Sequence, residues 1–311
     1  MRAAQFSNFG PPSVLQVVSV PTPRPAPDEI LIRVAASSIN GTDLFLRQAK
    51  GAMRLIAKLP FTPGFDVAGT VEACGAHVTA FAPGDPVYAL LGHRGGGAAE
   101  FALCQQFRAA IAPKSIPLEV AAGVPLSALT ALQALRGLAG VRDGQRVLIY
   151  GASGGIGVFA VQLAAHFGAR VTGVARAEKL EFVSSLGAAE VFDRATPLED
   201  LGRDWDVVLD AAPALSFETV EPLLAPQGML VSVRAIPSGV AELRGLARRR
   251  GRRWRGVQTA ERGLDLAYLA RLIDAGLLHV PVDRTFTLDE IADAHGYAES
   301  SAVKGKVIVT T

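Results

Sequence analysis

The sequence predicts an α/β fold, a doubly wound parallel sheet of the Rossmann type joined to a β-rich second domain. Three observations predict it. The stretch Arg146–Gly157 reads as buried strand, glycine-rich turn and helix. Beyond about residue 117, short β-branched runs alternate with helical segments. The first hundred-odd residues are rich in strand patterns, and that character returns in the tail.

The elements follow in order. Glu29–Val34 and Val67–Val71 read as strands, and Pro21–Pro27 as an extended connector because proline fixes φ and disfavours helix before it. Gly84-Asp85-Pro86 is a turn ahead of a strand at Val87–Leu91, and Gly95-Gly96-Gly97 is a second tight connection. Leu118–Gly123 and Ser127–Gly137 look helical, and Asp143-Gly144 is a turn before the first central strand, Val147–Ile149. Strands then fall at Val171–Val174, Glu190–Phe192, Val207–Leu209 and Met229–Val233, with helices at Ala177–Ser185, Leu215–Leu224 and Leu264–Ala275. The tail returns to strand at Pro281–Phe286 and Lys306–Val309. The expected boundaries are therefore 1–117 together with 276–311 for the β-rich domain, and 118–275 for the Rossmann domain.

The glycine turn carries the most chemistry. In the register G-x-G-x-x-G it runs Ala152, Gly154, Gly157, so alanine stands for the first glycine. Glycines let a main chain approach a pyrophosphate closely, and the following helix offers free N–H groups and its positive end. Ile156, Ala160, Leu163 and Phe167 supply the helical spacing. Residues Gly151, Ala152, Ser153, Gly154, Gly155, Ile156 and Gly157 are the expected dinucleotide cradle.

Composition narrows the class. The 311 residues allow roughly two domains with a large core. Half are hydrophobic and 19% charged, which describes a globular chain, and the formal net charge of +2 sets no whole-molecule preference for polyanions. Two cysteines, Cys74 and Cys104, make neither a disulfide framework nor a four-thiolate zinc site, which fits a reducing cytoplasm. The first residues lack the apolar core of a signal peptide, and no apolar run reaches the ~20 residues of a membrane span.

The chain resembles the medium-chain dehydrogenase/reductase superfamily, and within it the zinc-free quinone oxidoreductase group. The matching segments are Ser38-Ile39-Asn40-Gly41-Thr42-Asp43, Pro63–Val71, Gly84–Tyr88, Pro125–Ala131, the glycine turn, Ser185-Leu186-Gly187-Ala188 and Lys304-Gly305-Lys306-Val307. Their order and spacing together are specific. The resemblance implies a GroES-like β domain built from both chain ends, a Rossmann domain, and a cleft between them for the nicotinamide.

Zinc-dependent members carry a Cys where Asn40 stands and a His-Glu pair where Phe65-Asp66 stands. Phenylalanine cannot ligate zinc and asparagine is a poor ligand. His77 and His93 have no partner at ligand spacing. No metal site is expected. Without a Lewis acid, conjugated acceptors remain the easiest substrates, because hydride addition to a quinone or enone yields a delocalised oxyanion that a few donors can hold. The expected function is NADPH-driven reduction of a quinone or an α,β-unsaturated carbonyl. The alternatives are an enoyl-thioester (CoA) reductase and a non-catalytic NADPH-binding module with nucleic-acid affinity.

NADP(H) is preferred over NAD(H) because the second central strand ends in Ala175-Arg176 rather than an acid. Arg176 can make a forked contact to a 2′-phosphate, and Lys179 is a second cation one turn on. Glu178 is the counter-reading, discounted because it falls inside the next helix. By the resemblance, Asn40, Phe45 and Thr130 face the nicotinamide and its ribose, with Asn40 as the catalytic candidate, and Val233 and Lys304 also reach the cofactor. Asn40 read locally is also a turn residue before a helix, with Asp43 as its cap. Phe45 replaces a common tyrosine, so no side-chain proton donor is evident; Tyr88 and Tyr150 read as packing residues, and water remains the proton source.

Seven arginines fall between Arg244 and Arg255. They read as a solvated helix and loop, as a handle for an acidic substrate, or as a nucleic-acid contact. Nucleic acid is the least favoured partner. The resemblance further implies a homodimer that pairs the last Rossmann strand, near Arg255–Gln258.

Overall fold

The computed structural model describes residues 1–49, 58–233, 253–300 and 302–311. The expected loops around Gly51–Leu59 and Ile236–Gly251, and Arg244 through Arg252 of the arginine cluster, lie wholly or almost wholly outside them. In chain order the strands are β1 (Arg2–Gln5), β2 (Gln16–Ser19), β3 (Glu29–Ile39), β4 (Asp66–Cys74), β5 (Pro86–Leu90), β6 (Phe101–Gln105) and β7 (Ala109–Ile111). They continue as β8 (Arg146–Tyr150), β9 (Arg170–Ala175), β10 (Glu190–Asp193), β11 (Trp205–Asp210), β12 (Leu224–Ser232), β13 (Arg253–Gly256), β14 (Val282–Thr287) and β15 (Lys306–Thr310).

Contacts divide the chain into two compact units. One holds Met1–Leu129, Ala260–Gly276 and Val280–Thr311; the other holds Thr130–Thr259 and Leu277–His279. The first is the GroES-like unit. Its seven-stranded sheet runs β14-β15-β3-β4-β5-β7, with β6 also paired to β3. Ile30, Ile32 and Val34 of β3 form one core with Val67, Val71 and Val87. Leu31 between them is buried as well, because β3 is central and covered on both faces. The last strand, β15, lies antiparallel to β3 with Val307 opposite Ile39 and Ile308 opposite Ser38. That register carries Lys306, one step before Val307, to Asn40, one step after Ile39.

These boundaries differ from the expected ones. The helix Gly263–Asp274 falls by its place in the sequence within the expected Rossmann domain, yet it belongs to the GroES-like unit. Leu266 and Leu269 are buried, and the Tyr88 hydroxyl of β5 donates to the Leu266 carbonyl. A Cβ on Gly263 would lie 2.3 Å from the Ala109 oxygen, so only glycine lets the helix start this close to β7. Residues 118–129, expected in the Rossmann domain, also fall in the first unit.

The second unit is a Rossmann sheet. Its six strands are all parallel in the order β10-β9-β8-β11-β12-β13. Strand order reverses between β8 and β11, the place where such sheets open a crevice at their carboxyl ends. Leu148, Val174, Trp205, Val208, Phe217 and Leu230 fill one core. The helix Gly157–His166 is buried from Gly157 through Ala164, a stretch apolar except for Gln162. His279 closes the unit: its N–H donates to Gln162 Oε1 at 2.8 Å, and its carbonyl accepts from Gln162 Nε2 at 3.1 Å.

Element by element, three expectations change. The helix expected over Ser127–Gly137 is α-helical only over Pro125–Leu132, then widens into a π-turn at Gln133–Ala139 that ends on left-handed Gly140. The helix expected over Ala177–Ser185 begins as a tight 3-10 turn and is α-helical from Leu180. The helix expected over Leu215–Leu224 shrinks to Phe217–Val220, because Asp210 holds the Ala214 and Leu215 N–H groups in a loop and Ser216 supplies the cap. Among the described residues, no helix is long and apolar enough to cross a membrane.

Candidate functional site

The turn after β8 is built by close approach. Gly151 takes φ +83°, and a Cβ there would lie 2.6 Å from that of Ala212. A Cβ on Gly157 would lie 2.2 Å from the Gly151 oxygen. Both glycines are therefore demanded by the protein's own packing. Ala152 replaces the first glycine of the pattern without strain, since its methyl is buried over Gly173 of β9, itself lacking a side chain. Gly154 differs. A Cβ on it would meet only the Gly151 oxygen, at 3.4 Å, so nothing among the described residues requires glycine there.

The amides of this turn fall into two groups. Those of Gly151 and Ala152 donate to the Val174 carbonyl, and that of Gly154 to Gly151. Among the described residues, no partner is found for the N–H groups of Ser153, Gly155 or Ile156, and no side chain caps the helix that follows. Unpaired donors at the positive end of a helix are what an anion needs. The cradle fits a pyrophosphate.

The strand tip next to it carries Arg176. It follows Ala175 directly, is exposed, and starts the 3-10 turn with its carbonyl accepting from the Lys179 N–H at 2.9 Å. Lys179, expected as a second cation one turn on, is buried. Glu178 is exposed. Thr130 is buried with its hydroxyl 2.7 Å from that of Thr259, and the Val233 N–H donates to the Asp210 carbonyl.

In the GroES-like unit, Asn40 sits in a buried polar cluster. Its Oδ1 accepts from Lys306 Nζ at 2.6 Å and from Ser127 Oγ at 3.2 Å. Its Nδ2 donates to Asp66 Oδ2 at 2.8 Å and, weakly, to the Ser38 carbonyl at 3.4 Å. Lys306 also donates to Ser127 Oγ at 2.9 Å and lies 3.7 Å from Asp66 Oδ2. Asp66 has no exposure; its carboxylate accepts from Ser38 Oγ at 2.5 Å and from the Leu126 N–H at 2.7 Å. Burial holds the Lys306 ammonium below its usual range, against the raising influence of Asp66 and Asp43.

The N-cap of the following helix, Gly41–Arg47, is Asn40; Asp43, expected as the cap, stands at N3 and closes a capping box with it. Its carboxyl accepts the N–H groups of Asn40 at 2.9 Å and Gly64 at 2.8 Å. Burial pushes it up to about 7, helped by the charge of Asp66; the two amides and Lys306 pull the other way.

Sequence reasoning singled out Asn40 as a candidate but not its partners Lys306, Ser127 and Asp66. Lys304, the lysine chosen from the tail, is exposed at the turn, while Lys306 is 1% exposed. The available signal was a lysine opening the apolar run Val307-Ile308-Val309. Phe45 is 44% exposed, and Phe65 packs in an aromatic cluster with its ring 6.4 Å from that of Phe61. Tyr88 is buried, and burial raises its phenol.

Two family models match: the alcohol dehydrogenase GroES-like domain over residues 26–114 and the zinc-binding dehydrogenase domain over 186–309. The chain is 33% identical to the chloroplast envelope quinone oxidoreductase homolog of Arabidopsis thaliana, covering 99% of this chain and 98% of that one. It is 34% identical to an Arabidopsis thaliana chloroplastic NADPH-dependent alkenal/one oxidoreductase, covering 99% of this chain and 79% of that one. Among solved structures, the quinone oxidoreductase from Coxiella burnetii superposes with a TM-score of 0.92 at 30% identity, over 100% of this chain and 99% of that one.

Proposed function

We propose, from the premise that this chain belongs to the medium-chain dehydrogenase/reductase superfamily and its quinone oxidoreductase-like group, that it is an NADPH-dependent, zinc-independent oxidoreductase acting on a quinone or an α,β-unsaturated carbonyl. The observation that carries the reading is the turn after β8, where three main-chain N–H groups lack partners among the described residues, around a glycine that packing there does not require. Ser153, Gly155 and Ile156 hold the pyrophosphate through these amides, and Gly154 lets it approach. Arg176 takes the 2′-phosphate as a charge-assisted fork. Thr130, Phe45, Val233 and Lys304 are assigned to the remaining cofactor contacts. When bound, the dinucleotide supplies the hydride.

The residues at the zinc positions do not fit the metal. Phe65 has no donor atom, and the oxygen of Asn40 is taken by an ammonium group at 2.6 Å. Lys306 already brings a positive charge to Asn40 and Asp66, so a divalent cation there would meet repulsion rather than an empty ligand set. The oxyanion must instead be held by hydrogen bonds. Asn40 serves as that donor, through the Nδ2 hydrogen now spent on the long contact to Ser38. Such stabilisation suffices for a delocalised enolate or phenolate and falls short for a simple alkoxide. The one proton that completes the reduction comes from water. We further propose a homodimer through β13, which forms an edge of the Rossmann sheet.

Initial rates of NADPH oxidation with a p-quinone, an enone and a saturated ketone test this reading, each measured with and without a chelator. Turnover of the first two, indifferent to chelator, is expected. Absence of any NADPH uptake by the folded protein in calorimetry overturns it.

A further inference from the structure

We propose that Lys306 and Asp66 are a positioning pair that fixes the orientation of the Asn40 amide and strengthens it as a donor. The inference rests on the reading of Asn40 as the hydrogen-bond donor to the substrate oxyanion.

The two ends of a carboxamide are nearly the same size, so packing alone does not choose between them. Chemistry does so here. A lysine ammonium only donates, and an ionised carboxylate only accepts. Lys306 Nζ stands 2.6 Å from Oδ1, and Asp66 Oδ2 stands 2.8 Å from Nδ2. A flipped amide would set its NH2 against the ammonium and its oxygen against the carboxylate. Both clashes would fall where Asp66 has 0% and Lys306 1% exposure, out of reach of solvent screening.

Each member of the pair is itself fixed. Asp66 is gripped by the Ser38 hydroxyl on β3 and by the Leu126 N–H at the start of the helix Pro125–Leu132. Lys306 is gripped by Ser127 of that same helix, and the register of β15 on β3 sets its height. The Ser127 hydroxyl accepts from Lys306 and donates its own hydrogen to Asn40 Oδ1. Cationic donation to the amide oxygen draws electrons from nitrogen, so the Nδ2 hydrogens become more acidic and better donors. Lys306 therefore acts on the reaction through Asn40, without contact to substrate.

A double-mutant cycle in kcat tests this, with K306M, N40A and K306M/N40A assayed by quinone-dependent NADPH oxidation. The loss of one hydrogen bond to a charged group corresponds to about 10- to 100-fold, so K306M lowers kcat by about that much. The KM for NADPH stays within about twofold, because the cradle lies in the other unit. In the N40A background, K306M lowers kcat no further.

K306M leaves Asp66 a buried lone charge and threatens folding, so D66N/K306M serves as the second variant. Its melting temperature returns toward that of the parent while kcat stays low, because the carboxamide that D66N installs can present either end to Asn40. Additive losses in the cycle, or recovery of kcat along with stability in D66N/K306M, would overturn the positioning role. Full kcat in N40A alone would instead overturn the donor assignment on which the inference rests.

Discussion

The ammonium of Lys306 donates to the amide oxygen of Asn40 across 2.6 Å, although 266 residues separate them in the chain. The antiparallel register of β15 on β3 makes the meeting, and Asp66 at the head of β4 supplies the countercharge. Removing one partner of a buried pair strands the other. Lys306→Met is thus expected to destabilise the protein by about 3–5 kcal/mol. Neutralising Asp66 as well, in D66N/K306M, restores most of that loss. Equilibrium urea unfolding of both variants measures it; equal instability of the single and double variants would contradict the account.

The glycines of the β8 turn separate packing from binding. Gly157→Ala places a methyl 2.2 Å from the Gly151 oxygen, a clash with backbone that cannot be relieved by a rotamer change. A loss of about 1–3 kcal/mol in stability follows, the usual cost of overpacking. Gly154→Ala meets nothing closer than 3.4 Å, so the melting temperature should stay close to that of the parent. On the proposed reading, its methyl instead enters the space assigned to the pyrophosphate. The dissociation constant for NADPH should rise at least about tenfold, a cost of about 1.4 kcal/mol. Unaltered NADPH binding by a stable G154A protein would remove the phosphate from this turn.

These two sites were unequally legible in the sequence, for a physical reason. The cradle is local: Val147–Ile149, the glycine turn and a helix lie within about twenty residues, and each signal concerns its neighbours. The parallel strands were equally readable, because runs such as Val171–Val174 and Val207–Leu209 are buried on both faces whatever else the chain does. Asn40 could be placed from its segment. Its partners could not, since Lys306 and Ser127 reach it through a strand register and a helix position fixed only in three dimensions. The helix Gly263–Asp274 went to the wrong unit for the same reason. Its amphipathic pattern demands a core without naming which one, and the close approach at Gly263 is visible only once β7 is beside it. Lys179 was legible as a cation near the strand tip but not as a buried one, since burial depends on neighbours that only the fold brings.

Two buried titratable groups set opposing slopes on stability against pH. Burial, and then the Asp66 charge, push the Asp43 carboxyl up to about 7. An unfolded aspartate titrates near 3.9, so between about pH 4 and 7 the folded state binds more protons and stability falls as pH rises. His295 is the reverse. Burial, followed by the nearby Arg47 guanidinium, lowers it to about 3, against roughly 6.5 unfolded. Between about pH 3 and 6.5 the unfolded state binds more protons, and stability falls as pH drops. D43N should therefore show a steeper acid loss than the parent, and H295Q a shallower one, on going from pH 7 to 4.5. Urea midpoints at those two pH values measure both; parallel curves for the parent and both variants would refute the assignment.

On the proposed reading, Arg176 sets the preference between the two dinucleotides. It is exposed at the tip of β9, and its backbone is pinned by the Lys179 N–H, so its guanidinium projects from a fixed strand end. A 2′-phosphate gives that guanidinium a doubly charged, bidentate partner, whereas the 2′-hydroxyl of NADH gives it one neutral acceptor. Lys179 is buried, and the exposed cations at this tip are Arg176, directly after Ala175, and Arg194, whose N–H donates to the Ala175 carbonyl. Arg176→Ala should raise the KM for NADPH by about 10- to 100-fold, the cost of about 1.5–3 kcal/mol for a bond to a charged group. The KM for NADH should move by no more than about twofold. Steady-state kinetics with both cofactors on one quinone measure the ratio, and equal shifts would leave Arg176 an ordinary surface arginine, with the preference for NADPH to be sought elsewhere on the Rossmann unit.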